Sequence, residues 1–522
     1  DCLYDGLVVG ANGITIDLNG HLIDGKGVGA GIRNDGFDSV TVRNGIVEDF
    51  DYGVMLNQGT TLNIVEEMTV QKNQEGGIVL GRPYPVDPAL PQPPEPPASY
   101  DSNVDSNTIR HNRVLVNDAG VWLTNKAQSN VVEDNEISVN GNQAVYLDRV
   151  EKNRVEANEI FGSSGEGILL EGANENTVAG NALEENGGGG ITIGLTTTGT
   201  AVGIPSNDNT IEANSMFENG GSAIDLEGKS DSYLTGNKFL DNYARMSNGD
   251  GISLTYARDS IIRGNDVRQN KGGISRTAAT GNTIEANDAS ESEGDGINLQ
   301  ALSHSNTVLR NISNMNDGTG IYIGDETSGG SGMLLEGNET SNNKGYGIFV
   351  PKVSHVIKSN IANDNGGWGI WVSEGSNGRV NIDGGNNRAQ GNEGSIDPFT
   401  LKPLQCFVIR CEGGPVPQSD AIAPDTIITD QPAQASRDAV STFRFTGTDN
   451  ASSVTFQCSI DGGEYGPCTT PKDYAGLAPL SDHTFAVRAV DLSGNVDLTP
   501  ATYTWWIDPA ALDDPSETTF DS

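Results

Sequence analysis

Asp148 and Glu171 stand 23 residues apart, each closing the same local pattern: a small residue, an aliphatic, any residue, an aliphatic, then the acid. If each pattern is one strand of a stacked sheet, the two carboxylates sit one strand spacing apart, about 5 Å. Carboxyl groups that close share a proton, which raises one pKa and sets an acid beside a base or nucleophile. About 5 Å is also the separation at which a carboxyl pair cleaves a glycosidic bond with retention. Glu171 and Glu227 fall two spacings apart, roughly 9–10 Å, which suits an inverting pair instead. Tyr146 offers a base, and Lys126 and Arg149 offer cations to neutralise a uronate carboxylate during proton abstraction, as a lyase or epimerase needs. Trp122 and Tyr146 are rings suited to pyranose faces, and Asp225 and Glu227 are acids suited to sugar hydroxyls. The expected catalytic set is therefore Asp148, Glu171, Tyr146 and Arg149, with Trp122, Lys126, Asp225 and Glu227 holding substrate. Hydrated surface acids, or a weak Ca²⁺ site, are the plainer readings of the same carboxylates. His21 and His111 read as turn or surface residues, and no cofactor is required.

A repeat must position these side chains. Asn107, Asn130, Asn153 and Asn176 recur every 23 residues, and Asn112, Asn135, Asn158 and Asn181 follow the same interval. The small-aliphatic pattern starts at Gly120, Ala144, Gly167 and Gly190, continues through Ala223, Gly251, Gly296, Gly320, Gly347 and Gly369, and traces back to Gly31, Gly53 and Gly77. Short alternating segments broken by Asn and Gly at this period predict coils of three strands and three bends. Fourteen or fifteen such coils stack into a single parallel β-helix. The asparagines are expected at the bends, taking the left-handed conformation and hydrogen-bonding along the stack. A leucine-rich horseshoe would need a leucine-dense motif that is absent. Two intervals are long: 43 residues from Gly77 to Gly120 and 33 from Gly190 to Ala223, against a usual 22–24. The extra segments, near 82–105 and 194–208, are expected to rise as two walls around the coils that carry the site.

Composition narrows the classes. The 522 residues include 67 glycines and carry a net charge of −40, which repels phosphate and excludes nucleic acid as a partner. No run of 18 apolar residues occurs, so no segment reads as a membrane span. Cys406/Cys411 and Cys458/Cys468 form two close pairs, expected as disulfides in an oxidising compartment, with Cys2 left over. The chain begins Asp-Cys, so a signal peptide and the partner of Cys2 are expected upstream, and the protein is read as secreted. Residues 1–411 carry the repeat, 412–423 read as a Gly/Pro linker, 424–508 as an Ig-like β-sandwich and 509–522 as a flexible tail. Cys458–Cys468 is expected to close a hairpin around Asp461-Gly-Gly. One of the adjacent Trp505 and Trp506 should face the core, so spacing or cell-wall attachment is the expected role of this module.

The run NTIEANSMFENGGSAIDLEG and its siblings resemble the right-handed parallel β-helix repeats of carbohydrate-active secreted proteins. DGLVVGANGITIDLNGHLIDGKG resembles the opening coil of bacterial members, and the likeness spans roughly residues 5–400. It implies an all-β, right-handed parallel β-helix and a polysaccharide substrate or ligand. The superfamily includes lyases, polygalacturonases, uronan epimerases, phage tailspikes, copper-maturation proteins and adhesins, so fold alone does not choose among them. The Asp-Pro-His-Asp of mannuronan epimerases and the Gly-His-Gly of polygalacturonases are both missing. The expected function is cleavage of glycosidic bonds, by hydrolysis or elimination, in a groove between the insertions. The alternative is a non-catalytic glycan-binding adhesin or surface scaffold.

Overall fold

In a typical coil, Ala119–Thr124, Val131–Glu133 and Glu136–Ser138 form three short strands, and Val145–Asp148 opens the next coil. Val121, Leu123, Val132 and Ile137 point inward and are fully buried. Val145, Leu147, Val155 and Ile160 repeat them one coil on, in parallel register. Each such aliphatic contributes about 1.5–3 kcal/mol on burial, so the tube interior is the main source of stability. Backbone amides and carbonyls pair with the coils on either side, which leaves no open edge within the stack. The first sheet has 16 strands, and the other two adjoin as a 22-strand assembly. The result is a right-handed β-solenoid of about fourteen turns, with no helix among the described residues. The structure is a computed structural model that describes residues 2, 4–81, 103–196, 203–300, 303–324, 332–351, 354–373, 381–394, 405–407, 409, 411–412, 423–436, 440–448, 454–478, 481–490 and 496–507.

Asparagine amides tie the bends together. Asn158 donates through Nδ2 to the Val132 carbonyl and to Asn181 Oδ1, both at 2.9 Å. Its own Oδ1 accepts from the Asn135 backbone at 3.0 Å and from Asn135 Nδ2 at 2.9 Å. Three such ladders line the three bends, as Asn130–Asn153–Asn176, Asn135–Asn158–Asn181 and Asn117–Asn140 show. The left-handed residue is not the asparagine, however, but the one before it: Ser129, Asp134, Lys152 and Ala157 have φ of 55°, 52°, 59° and 52°. That residue reverses the chain so that the asparagine side chain enters the stack, where a buried amide must satisfy all its bonds. Asn158→Ala therefore strands a carbonyl and a backbone N–H, and is expected to destabilise the solenoid by about 2–4 kcal/mol. Thermal unfolding checks this, and a melting temperature equal to the parent's would refute it.

One inward column breaks the aliphatic rule. Leu226, Leu254, Arg276 and Leu299 follow one another in register, and Arg276 is only 2% exposed. Its three guanidinium nitrogens find no hydrogen-bond partner among the described residues.

The last coil is closed by the first disulfide. Cys406 pairs with Ile370 at the end of the first sheet, and Cys411 pairs with Asn387 in a separate three-stranded sheet. The Cys406–Cys411 bond, with Cα atoms 5.9 Å apart, joins these two sheets, and both cysteines pack against the solenoid core. The expected boundary at Cys411 falls within this strand. Cys411–Glu412 is one strand whose second residue pairs with Arg388, so backbone pairing carries the solenoid into the expected linker.

The chain forms two compact units, Asp1–Gly413 and Gly414–Ser522. In the second, a three-stranded sheet around Val440–Thr448 and a five-stranded sheet around Asp482–Val490 enclose Phe443, Phe445, Phe485, Val487 and Trp505, making a small β-sandwich. Trp505 is 1% exposed and donates to Ser441 Oγ at 3.0 Å, whereas Trp506 is half-buried. The two indoles thus do not form a shared platform. The second disulfide, Cys458–Cys468, joins an antiparallel hairpin whose turn places Asp461 at φ 51°. Cys2 is half-buried and free. Most of the expected linker, and the tail, lie outside the described residues.

Candidate functional site

Two outward columns run up the first sheet. One carries Trp122, Tyr146, Leu169, Thr192, Asp225, Ser253, Ser275 and Asn298 in register. The other carries Thr124, Asp148, Glu171 and Gly194, with Glu227 and Thr255 further along. Arg149 follows Asp148 at the bend with φ 55°, a left-handed turn that folds its guanidinium back. Nε and Nη2 grip Asp148 Oδ1 and Oδ2 at 2.8 and 2.6 Å, and the Thr124 hydroxyl donates to Oδ2 at 2.9 Å. Glu171 instead accepts a 2.6 Å hydrogen bond from the Tyr146 hydroxyl. The structure thus brings Asp148 and Glu171 into the expected register, but each carboxylate takes donors of its own in place of a shared proton.

Burial pushes the Glu171 carboxyl above its ordinary range; Tyr146 opposes this, and the charges of Asp148 and Glu166 reinforce it. Burial first, then the negative charges of Asp148 and Glu171, drive the Tyr146 phenol far above its usual value. Tyr146 therefore keeps its proton and serves as a donor, which corrects its expected role as base. Trp122 is corrected too. It is 6% exposed and stacks on Tyr146, with centroids 5.6 Å apart and planes at 21°. Rings stacked from coil to coil spend their faces on each other, so little face remains for a sugar. Tyr322, Phe349 and Trp371 stack in the same way further up.

Lys126 is exposed at a bend with φ 69°. With Arg149, Gln128, Glu151, Asn174 and Ile204 it lines a cleft of about 440 Å³. That cleft lies beyond the end of the ladder strand, and Asp148, Tyr146 and Glu171 are not in its lining. The expected walls fall mostly outside the described residues, at 82–102 and 197–202. The base of the second is closed by the Thr196 amide on the Ile204 carbonyl at 3.1 Å and the Ile204 amide on the Thr196 hydroxyl at 3.2 Å.

A second acidic pair lies two coils along the groove. Asp225 and Glu227 lie on one strand and hydrogen-bond each other; burial, then the Glu227 charge, push Asp225 up to about 6, against the Ser253 hydroxyl. Asp250 adds its charge and accepts from Ser275. Between Glu171 and this pair the columns carry only Gly194 and Thr192, too short to fill the space. A Cβ at Gly194 would meet Glu171 Cγ at 3.9 Å, ordinary contact. The two-residue spacing of Asp225 and Glu227 put both on the outward face, but their pairing was not read from it. Among the described residues, the acids that converge within 4.8 Å are Asp24, Glu48 and Asp49, outside this groove, and Glu48 is already held by Lys72 and Gln71.

A Ser-His-Asp constellation in the second unit was not legible in advance. His483 Nδ1 meets Asp461 at 2.8 Å, and Nε2 meets the Ala478 carbonyl at 2.8 Å and Ser481 Oγ at 3.2 Å. A nitrogen facing a carboxylate and one facing a carbonyl are both placed to donate, which favours the protonated imidazole, and the Ser481 hydroxyl donates to the Ala478 carbonyl instead. Burial pulls its pKa down, but the Ala478 carbonyl and Asp461 outweigh that and hold it above 6.5. The clamp is fully present below pH 6.5 and is lost as pH rises through the folded pKa. The near-ultraviolet melting signal of Trp505, whose ring centroid lies 5.8 Å from His483, should fall in temperature from mildly acid to mildly alkaline buffer. His483→Gln should flatten that trend.

The fold and this face define a parallel β-solenoid with an acidic outward ladder on its first sheet. The family model described as the right handed beta helix region matches residues 1–143, 30–204, 123–275 and 200–350, together about two thirds of the sequence. The chain belongs to that right-handed β-helix family. Among solved structures, it is similar to the A-module of the Azotobacter vinelandii mannuronan C-5 epimerase AlgE6 at 14% identity, over 71% of this chain and 91% of that one, with TM-score 0.38. It is also similar to the catalytic unit of a GH87 alpha-1,3-glucanase from Streptomyces thermodiastaticus strain HF3-3, at 13% identity over 75% and 65%, TM-score 0.38. The Siphovirus 9NA tailspike receptor binding domain aligns at 11% identity over 96% and 95%, TM-score 0.35. No curated protein matches the sequence.

Proposed function

We propose that the protein hydrolyses glycosidic bonds of a polysaccharide lying along the first sheet, with the reaction centred over Gly194. The observation that carries this is the pair of partly buried carboxyl sites, Glu171 and Asp225–Glu227, on either side of a bare coil, with burial raising both Glu171 and Asp225. Two strand spacings put Glu171 and Glu227 about 9–10 Å apart, near the separation that leaves room for a water and inverts configuration, and Asp225 stands diagonally from Glu171 in the neighbouring column. Asp225, protonated and backed by Glu227, gives its proton to the glycosidic oxygen as that bond breaks. Glu171, held by the Tyr146 hydroxyl, takes a proton from the water that attacks the anomeric carbon from the opposite side. One proton leaves Asp225 and one arrives at Glu171, and solvent restores both. Asp148 positions Arg149 at the cleft that also holds Lys126, where both cations meet substrate hydroxyls. Hydrolysis by carboxyl groups needs no cofactor.

Secretion fits two disulfides, and no helix among the described residues is long and apolar enough to cross a membrane. The C-terminal sandwich is read as an Ig-like spacer or wall-attachment module. Incubation with a panel of polysaccharides should release reducing ends without the ultraviolet absorbance of unsaturated uronates. Absorbance rising with the reducing ends would make the protein a lyase. Binding without any cleavage would make it a scaffold.

A further inference from the structure

Resting on that reading, we infer that the groove selects an uncharged polysaccharide and excludes polyuronates. Glu166, Glu171, Asp225, Glu227, Asp250 and Asp295 lie on or just before strands of the first sheet on four of its coils, and among the described residues none of them is in an ion pair, the Arg149 charge reaching Glu171 only from the adjoining bend. From Tyr146 to Asn298 the two outward columns contain no basic residue. Arg149, at the adjoining bend, spends its fork on Asp148. The other arginine on these strands, Arg276, points into the core. A polyuronate brings one negative charge with every sugar, and like charges a few ångströms apart in a half-buried groove repel strongly. Neutral sugars bring hydroxyl donors, which carboxylates accept through charge-assisted hydrogen bonds. Elimination and C5 epimerisation also need a cation on the substrate carboxylate and a base beside it. Here Arg149 is gripped by Asp148, Lys126 stands in the cleft beyond the end of the ladder strand and away from Glu171, and Tyr146 donates its proton to Glu171. Charge and chemistry thus reject the same substrates for separate reasons.

The test uses the full chain and matched pairs of ligands. Affinity electrophoresis and calorimetry compare soluble neutral glucans with their carboxymethylated forms, polygalacturonate with its carboxyl-reduced form, and alginate and chitosan alone. A neutral chain should bind, and its carboxylated partner should bind at least about tenfold more weakly at low salt, the gap closing at about 0.5 M salt as the repulsion is screened. Removing charge with Glu166→Gln, Asp250→Asn and Asp295→Asn together should narrow the same gap. A polyuronate bound or cleaved as well as its neutral partner would overturn the inference and leave glycan hydrolysis standing. Chitosan bound alone would overturn the uncharged class. No chain bound from any class would overturn the hydrolase reading, and this inference with it.

Discussion

Asp225→Asn and Glu171→Gln should each lower kcat on the cleaved glycan by a factor of about 10²–10⁴, the usual worth of a positioned acid or base, while binding survives. The pH profile carries the sharper information. Glu171 must be ionised to take a proton from water, so activity rises with pH through its carboxyl, which burial has lifted above the ordinary 4.5. Asp225 must be protonated to give one, so activity falls as pH rises through about 6. The product is a narrow, acidic bell in kcat/KM, dropping about tenfold per unit on its alkaline side. Tyr146→Phe removes the donor that stabilises ionised Glu171, so the acid limb should move upward and the bell should narrow. A merely structural tyrosine would lower activity at every pH alike. An optimum above pH 8, or an Asp225→Asn variant with the parental alkaline limb, would end the assignment.

Arg276→Leu and Arg276→Met should raise the melting temperature of the solenoid. A fully buried guanidinium between Leu254 and Leu299 has lost its water, and the described residues give it no partner in exchange. Burial drags its pKa well below the ordinary guanidinium value, to about 9, the signature of a charge the folded state resists. Removing an unpaired buried charge in favour of a well-packed aliphatic is worth about 2–4 kcal/mol, and the new side chain continues the column on either side. The pH sign follows from the same shift. As pH rises past about 9 the folded arginine gives up its proton more readily than the unfolded one, so stability should rise with pH there, against the general trend of alkaline denaturation. Chemical denaturation of parent and variant at pH 7 and pH 10 checks both claims. A variant less stable than the parent at pH 7 would show that Arg276 is satisfied after all.

The coil, its period and its inward aliphatics were legible because Val121, Leu123, Val132 and Ile137 alternate and recur from coil to coil. The bends were half legible. Asparagine announces itself at a fixed interval, whereas the left-handed residue before it is Ser, Asp, Lys, Ala or even Val116 and Val139, with no compositional mark. The coil at Gly273 escaped the small-aliphatic pattern because Arg276 stands where an aliphatic belongs. The pairing of Cys406 with Cys411 followed from their closeness, but the end of the solenoid did not, since Glu412 looks like linker until Arg388 is found beside it. At the site, register alone put Asp148 beside Glu171, since strands in a stack have one spacing. Which donor each acid would take was not readable. Arg149 reaches Asp148 only because its bend turns left-handed, and Tyr146 reaches Glu171 diagonally on the next coil. Trp122 failed for a related reason: period two predicts an outward direction, but what covers an outward ring is decided by its neighbours.

The asparagine ladders have a consequence for the history of such a chain. Each amide bonds only to its own coil and those on either side, and Asn135, Asn158 and Asn181 do so with the same partners in the same geometry. A block of 22–24 residues copied into the gene, or lost from it, would meet matching bends above and below. The length of the outward face is then inherited in whole coils, extended by duplication and shortened by deletion, while the coils that carry Glu171 and Asp225 pass on unchanged.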